Sequence, residues 1–231
     1  MRDKVLFHNL LNIKESINFT HSEYKSEDVK IIAVSKRKPL SDIELLSSLN
    51  HKLFGENYAQ ELKEKYETFN GEKPVFHFIG PLQTNKVSMI INKVDLIHSV
   101  DRKKLVKVIN KEAEKINKVQ KILIQLNLTN ETTKAGISED ELLPFIKSIE
   151  DYKNIELVGL MTMPFFSDNL EDVRPVFAKL RKLRNDLNTK GYSNIKELSM
   201  GMSNDYKVAI EEGSTMIRVG TSIFGKRDLT S

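Results

Sequence analysis

The choice between two α/β folds rests on one segment of the chain, Ile31-Ile32-Ala33-Val34-Ser35-Lys36-Arg37-Lys38-Pro39. Its first four residues form the continuous apolar run that is typical of a buried parallel strand. In a doubly wound open sheet, the turn after the first strand carries the glycines that approach a phosphate. This segment contains no glycine, so it favours the competing arrangement, a closed barrel.

Short β-rich segments and longer helical patterns alternate along the rest of the chain, after an amphipathic helix over about 5–19. This alternation predicts parallel strands joined by right-handed crossover helices. The predicted strands are 30–34, 52–54, 75–78, 96–98, 122–127, 157–161, 197–198 and 216–219. Eight such strands without a break in composition predict a single (β/α)₈ TIM barrel, one domain over 1–231 with an extra amino-terminal helix.

The composition excludes several kinds of site and partner. The chain has no cysteine, which excludes disulfides and thiolate zinc sites. Its net charge of +4 comes from 36 basic and 32 acidic residues that are spread along the chain, not concentrated in a nucleic-acid-binding stripe. No apolar run approaches the roughly 20 residues of a membrane helix, and the amino terminus does not resemble a signal peptide. We therefore expect a cytoplasmic protein that binds neither nucleic acid nor membranes.

Polar residues collect where the predicted strands end, which is the end of a barrel that carries its chemistry. Lys36 follows the first strand, where partial desolvation favours the neutral amine that forms an imine with an aldehyde. Gly220 and Thr221 follow the eighth strand and Ser203 the seventh, at the corner where barrels commonly bind phosphate. Taken singly, Lys36 is also explained as a solvated lysine and Ser203 as a helix cap. Taken together, they predict a phosphorylated aldehyde as the ligand.

The other candidate residues are explained at least as well by structural roles. His77 and His98 lie on predicted strands without an acidic partner at metal-ligand spacing, so we interpret them as hydrogen-bonded structural histidines and predict no metal site. Asn57 either caps a helix or presents its amide to the barrel mouth. Met200 either lines a flat ligand or belongs to the core. Lys134 is either a second amine at the mouth or a solvated loop lysine.

Five segments carry a resemblance that runs from about residue 5 to about residue 227. They are Ala33-Val34-Ser35-Lys36, Gly55-Glu56-Asn57-Tyr58, His77-Phe78-Ile79-Gly80-Pro81-Leu82-Gln83-Thr84-Asn85-Lys86, Leu198-Ser199-Met200-Gly201-Met202-Ser203 and Arg218-Val219-Gly220-Thr221-Ser222-Ile223-Phe224-Gly225. Together they resemble the pyridoxal 5′-phosphate (PLP) homeostasis protein family. The last segment also resembles the barrel domain of bacterial alanine racemases. The resemblance implies that Lys36 holds PLP as a Schiff base, and that Ser203, Gly220 and Thr221 bind the phosphate.

The resemblance also implies that Arg218 faces the pyridine nitrogen of PLP, with Asn57 and Met200 near the ring or the phosphate. A guanidinium that donates to this nitrogen keeps it unprotonated, which makes the ring a poorer electron sink. In alanine racemases a further carboxyl-terminal domain supplies a tyrosine as the second proton-transfer group, whereas the present sequence ends at Ser231, soon after the last motif. We therefore expect no robust catalytic activity.

The function expected from these residues is PLP homeostasis, in which the protein carries or buffers PLP and passes it to apo forms of PLP-dependent enzymes. Two alternatives remain open. A PLP-dependent amino-acid racemase would need a second acid or base opposite Lys36. A barrel enzyme without PLP would use Lys36 to form an imine with a phosphorylated substrate. The sequence leaves both a monomer and a weak dimer open.

Overall fold

The computed structural model describes residues 2–129, 131 and 134–225, and it contains a closed barrel of eight parallel strands. The strands pair in chain order, and β1 closes the barrel by pairing with β8. They are β1 Lys30–Val34, β2 Leu53–Glu56, β3 Val75–Phe78, β4 Leu96–Val100, β5 Gln120–Leu126, β6 Ile155–Thr162, β7 Glu197–Met202 and β8 Met216–Val219. The prediction of a (β/α)₈ barrel is confirmed.

Helices connect the strands and cover the outside of the barrel. They are α1 Arg2–Phe19, α2 Leu40–Ser48, α3 Ala59–Thr68, α4 Val87–Ile90, α5 Lys103–Glu114, α6 Glu139–Lys147, α7 Arg174–Thr189, α8 Tyr206–Glu211 and α9 Thr221–Phe224, with 3₁₀ turns at Thr84–Lys86 and Leu170–Asp172. In the part of the chain that the structure describes, none of these helices combines the length and the apolar character needed to cross a bilayer.

The amino-terminal helix α1 precedes the barrel and packs against α9. Its buried face repeats at intervals of three and four residues, as an amphipathic helix requires, and consists of Leu6, Leu10, Ile13 and Ile17. The Arg2 guanidinium donates to the Phe224 carbonyl at 3.0 Å. The Asn9 amide donates to the Ile223 carbonyl at 2.9 Å. These bonds attach the first helix to the helix that follows the last strand.

Strand β7 is longer than the sequence predicts, and the difference decides where two neighbouring side chains point. The apolar pattern predicts a strand over 197–198, whereas β7 runs Glu197–Met202. Gly201 has φ of 93°, and the register against β8 shifts between Ser199 and Met202. An irregularity of this kind lets a strand continue where its apolar pattern stops. Because side chains alternate along a strand, Ser199 faces the barrel interior and Met200 the surrounding helices.

Two kinds of side chain fill the barrel interior. An apolar cluster consists of Ile32, Leu96, Leu123, Met161 and Met216. Beside it lie four buried polar side chains, those of His77, His98, Ser199 and Arg218. The larger apolar core lies between the sheet and the helices. The interior is therefore packed rather than open, and the space for a ligand lies at the ends of the strands.

Candidate functional site

The carboxyl ends of the strands surround a cavity of ≈ 440 Å³, which we call the site cavity. Six of the seven predicted cofactor-binding residues line it: Lys36, Asn57, Ser203, Arg218, Gly220 and Thr221. Val34, Ile79 and Met202 contribute apolar wall. The site cavity therefore brings together an amine, a guanidinium, an amide, two hydroxyls and an apolar surface.

Lys36 lies in the turn two residues beyond the end of β1 and is half-buried. The next residue, Arg37, has φ of 57°, in the left-handed region that few non-glycine residues adopt. Its backbone N–H donates to the Glu61 carboxylate at 2.6 Å. The turn is therefore held in an unusual conformation that places Lys36 on the wall of the site cavity.

A buried ionic cluster fixes the residue before Lys36, and we call it the Glu56–Lys65 cluster. The Ser35 hydroxyl donates to Oε1 of Glu56 at 2.7 Å. Nζ of Lys65 donates to the Ser35 carbonyl at 2.7 Å, to the same Glu56 oxygen at 2.8 Å and to Glu61 at 2.6 Å. Burial raises the pKa of Glu56, and the charge and hydrogen bond of Lys65 oppose that rise. The hydroxyl and the carbonyl of Ser35 are therefore both hydrogen-bonded within this cluster.

Sequence reasoning missed the Glu56–Lys65 cluster. A signal was present, because Glu56 ends the second strand and charged residues are rarely buried unless they are paired. Its partner Lys65 lies on the following helix, and α-helical spacing links that lysine to Glu61 but not to the strand. The contact between Glu56 on the strand and Lys65 on the helix depends on how the two elements pack, which the sequence spacing does not give.

A second group of polar atoms, which we call the cradle, lies where β7 and β8 end. The Ser203 hydroxyl oxygen accepts hydrogen bonds from the backbone N–H groups of Gly220 at 3.2 Å and Ser222 at 3.3 Å. The Ser222 hydroxyl donates to the Ser203 carbonyl at 3.4 Å. Two backbone N–H groups thus point to the position of one oxygen, an arrangement in which an anion oxygen could replace the Ser203 hydroxyl as acceptor. Ser222 was not among the predicted residues, although it directly follows Gly220 and Thr221.

Arg218 is almost fully buried on β8 and reaches the site cavity. Its guanidinium donates to the Ser199 hydroxyl at 2.6 Å and to the Thr162 carbonyl at 3.0 Å. Burial lowers the pKa of Arg218 to about 10, against the opposing charge of Asp205. The side chain therefore remains a cation at neutral pH, and both of these hydrogen-bond acceptors are uncharged.

Asn57 contributes an acceptor to the wall of the site cavity. Its Oδ1 is buried and has no hydrogen-bond partner among the residues that the structure describes. Gly80 packs directly against it, because a Cβ atom at that position would lie 2.4 Å from the Asn57 carbonyl oxygen. A buried acceptor without a donor is costly, so a ligand that donates to Oδ1 would be stabilised here.

Two other candidates have different places in the structure. The Met200 side chain is fully buried in the core between the sheet and the helices and does not line the site cavity, whereas Met202 does. Because β7 continues to Met202, its side chains alternate between the barrel interior and the helices, and Met200 lies on the helix side. Lys134 does line the site cavity, and its amine lies 3.0 Å from the Glu131 carboxylate.

The two strand histidines lie inside the barrel and hydrogen-bond to each other at 3.0 Å. Within residues 2–129, 131 and 134–225, no group of three or more histidine, aspartate or glutamate side chains is placed to hold a metal ion.

A third buried histidine, His51, makes the stability of the fold depend on pH. Burial lowers its pKa from 6.5 to about 4, although a hydrogen bond to the Leu53 carbonyl at 2.9 Å opposes the shift. Between these values the unfolded chain binds a proton that the folded chain does not, so the free energy of unfolding falls by ~1.4 kcal/mol per unit as pH drops. Urea unfolding from pH 7.5 to 4.5 should show this slope as a difference between the wild type and His51→Gln, whose amide keeps a donor for Leu53. Equal slopes in the two proteins would contradict the assignment.

The chain is similar in sequence to a family model and to several known proteins. The family model described as "Alanine racemase, N-terminal domain" matches residues 8–228. A pyridoxal phosphate homeostasis protein of Aquifex aeolicus is 44% identical over 198 residues, which cover 86% of this chain and 87% of that protein. The protein of the same name from Escherichia coli K12 is 35% identical over 227 residues, 96% of each chain.

Solved structures give the same picture for the fold. PipY of Synechococcus elongatus PCC7942, determined with PLP bound, superposes with a TM-score of 0.85 at 28% identity, covering 95% of this chain and all of PipY. An alanine racemase of Clostridium difficile superposes with a TM-score of 0.74 at 20% identity, over 98% of this chain and 58% of the racemase. The second similarity is one of fold alone.

Proposed function

The chain belongs to the pyridoxal phosphate homeostasis protein family, and from this membership we propose that it holds PLP as a Schiff base on Lys36. In this proposal the protein is a cytoplasmic carrier or buffer of PLP without a robust catalytic activity of its own. Apo forms of PLP-dependent enzymes are the recipients of the cofactor. The supporting observation is that a lysine amine, an anion cradle and a buried guanidinium line one cavity.

Four groups of PLP have suitable partners in or beside the site cavity. Its phosphate suits the cradle, where Ser203 and Gly220 line the site cavity and the N–H groups of Gly220 and Ser222 converge on one oxygen. Its pyridine nitrogen is an acceptor for the Arg218 guanidinium, and its apolar ring face suits Val34 and Ile79. Thr221, at the same wall, adds a further hydroxyl. Bound PLP supplies an aldehyde carbon, to which a lysine nitrogen forms a C=N bond while the aldehyde oxygen leaves as water.

The charge of Arg218 is suited to a carrier, which needs only a reversible C=N bond. A cation that donates to the pyridine nitrogen keeps that nitrogen unprotonated, so the ring withdraws electrons less strongly from a carbanion. The hydrogen bonds of Arg218 to Ser199 and Thr162 go to neutral oxygens, which leave its charge in place. Formation of the C=N bond to Lys36 needs no such electron withdrawal, and it is reversible.

We expect borohydride reduction of the PLP-loaded protein to fix the cofactor on the peptide that contains Lys36. The native protein should show a visible absorption band that reduction removes, and mass spectrometry of the digest should locate the adduct. An adduct on a different lysine, or no adduct, would contradict the proposal. The matched control is the same digest after incubation with pyridoxamine 5′-phosphate, which has no aldehyde and should leave every peptide unmodified.

Amino-acid racemisation is the second candidate function, and one observation favours it. Lys134 lines the same cavity as Lys36, so a second amine is available as an acid or base. The two functions are separated by incubating the loaded protein with single L-amino acids in deuterium oxide. A carrier leaves the Cα proton in place, whereas a racemase replaces it with deuterium and forms the D-enantiomer.

A further inference from the structure

A column of hydrogen-bonded side chains runs through the barrel interior from Arg218, and we call it the interior column. The Arg218 guanidinium donates to the Ser199 hydroxyl at 2.6 Å. The Ser199 oxygen lies 2.8 Å from Nδ1 of His98. Nε2 of His98 lies 3.0 Å from Nδ1 of His77. Four strands, β3, β4, β7 and β8, thus contribute one polar side chain each.

The interior column connects two separate cavities. Arg218 lines the site cavity at the carboxyl ends of the strands. His77 lines a second cavity of ≈ 480 Å³ at the amino ends of the strands, together with Lys30, Val75 and Met216. All four members of the column are at least 96% buried, so water does not replace these hydrogen bonds. The column is therefore a continuous series of buried hydrogen bonds between the two cavities.

Counting protons gives the direction of every bond in the column. A guanidinium can only donate, so the Ser199 oxygen accepts from Arg218. The single Ser199 proton then has one acceptor among the described residues, Nδ1 of His98. The arrangement that satisfies this proton has the proton of His98 on Nε2, from which it is donated to Nδ1 of His77. His77 in turn carries a proton on Nε2, which faces the Asp95 carboxylate at 3.9 Å.

Both histidines of the column are neutral. Burial lowers the pKa of His77 to about 4, and burial, with the charge of Arg218 beside it, lowers the pKa of His98 well below its usual value. Arg218 is then the one cation on the column. A carboxylate partner would compensate the charge of Arg218, whereas the hydroxyl and imidazole chain fixes the guanidinium without doing so.

We propose that Ser199 and His98 are positioning residues for Arg218, which orient its guanidinium toward the cofactor. The inference rests on the proposed function, because PLP is the group that Arg218 would face. Ser199 orients Arg218 through the hydroxyl oxygen, and His98 fixes the direction of the hydroxyl. His77 completes the chain by accepting the proton of His98.

One test needs no cofactor. Long-range ¹H–¹⁵N spectra of the protein as purified report which ring nitrogen of each histidine carries a proton. We expect His98 and His77 to be neutral with the proton on Nε2 from pH 6 to pH 8. A proton on Nδ1 of His98, or a charged His98, would overturn the inference whether or not the protein binds PLP.

The second test uses the cofactor as its readout. Ser199→Ala removes one of the two acceptors of Arg218, and loss of a buried hydrogen bond to a charged group should weaken PLP binding about tenfold or more. It should also shift the absorption maximum of bound PLP, and Ser199→Thr, which keeps the hydroxyl, should restore both properties. The matched control is Ser214→Ala, since Ser214 is equally buried but its hydroxyl donates to a backbone carbonyl, that of Met200 at 2.7 Å.

The outcomes separate the inference from the proposed function. A wild-type protein that takes up no PLP would refute the proposed function, and the histidine spectra would still decide the inference. A coloured wild type with an unchanged spectrum and affinity in Ser199→Ala would refute the inference alone. Equal effects of Ser199→Ala and Ser214→Ala would also refute it, because they would reflect a general loss of packing.

Discussion

Replacing Lys36 with alanine is expected to abolish the visible absorption band of the PLP-loaded protein. The band requires a C=N bond to the cofactor, and Lys36 supplies the nitrogen in our proposal. The fold should persist, because the side chain is half-buried in a turn outside the barrel sheet, so the free energy of unfolding should change by no more than ~1 kcal/mol. Absorbance after dialysis against PLP, with urea unfolding of the same samples, measures both effects.

Two further variants sharpen this test. Lys36→Arg keeps a positive charge at the cavity wall but not a primary amine, so it should be as colourless as Lys36→Ala. Lys38→Ala removes a lysine two residues away, whose amine lies 3.4 Å from the Gly225 carbonyl, and it should keep the band. A coloured Lys36→Arg protein, or loss of the band in Lys38→Ala alone, would assign the covalent link to another residue.

Replacing Lys65 with methionine should destabilise the protein by ~3–5 kcal/mol, because it removes one partner of a buried ion pair. Glu56 is fully buried, and one of its carboxylate oxygens already has no hydrogen-bond partner among the described residues. Without Lys65 the other oxygen keeps only the Ser35 hydroxyl. The Ser35 carbonyl also loses one of its two donors and keeps only the Lys38 backbone N–H at 3.0 Å, so we expect slower uptake of PLP at Lys36. Urea unfolding at pH 7 and the time course of the visible band measure these effects.

The matched controls isolate the buried charge as the cause. The double variant Glu56→Gln with Lys65→Met removes both charges and should recover most of the lost stability. Glu61→Gln alters the more exposed partner of Lys65 and should cost about 1 kcal/mol or less. A Lys65→Met protein as stable as the wild type would show that Glu56 finds another partner or is protonated without cost.

The barrel itself could be predicted from the sequence because its signal is local and repeated. The apolar run before Lys36 and the alternation after it depend only on neighbouring residues, and the structure confirms the order and pairing of the strands. The end of β7 could not be predicted in the same way. Gly201 and the register shift beside it interrupt the apolar pattern without ending the strand.

The candidate site could be predicted to the extent that it depends on strand ends. Lys36, Ser203 and Gly220 follow strands that converge, and the structure places all three around the site cavity. The Met200 side chain lies elsewhere, because its direction depends on the alternation within β7. The Glu56–Lys65 cluster and the interior column were not predicted, since each joins residues that are far apart along the chain and adjacent only in the closed barrel.

The attachment of α1 to α9 connects the first helix to the cradle. Ser222 belongs to the short helix α9, whose carbonyls at 223 and 224 accept hydrogen bonds from Asn9 and Arg2. We therefore expect an anion bound at the cradle to stabilise the contact between the first helix and α9. Binding of PLP should therefore make residues 2–19 more resistant to limited proteolysis.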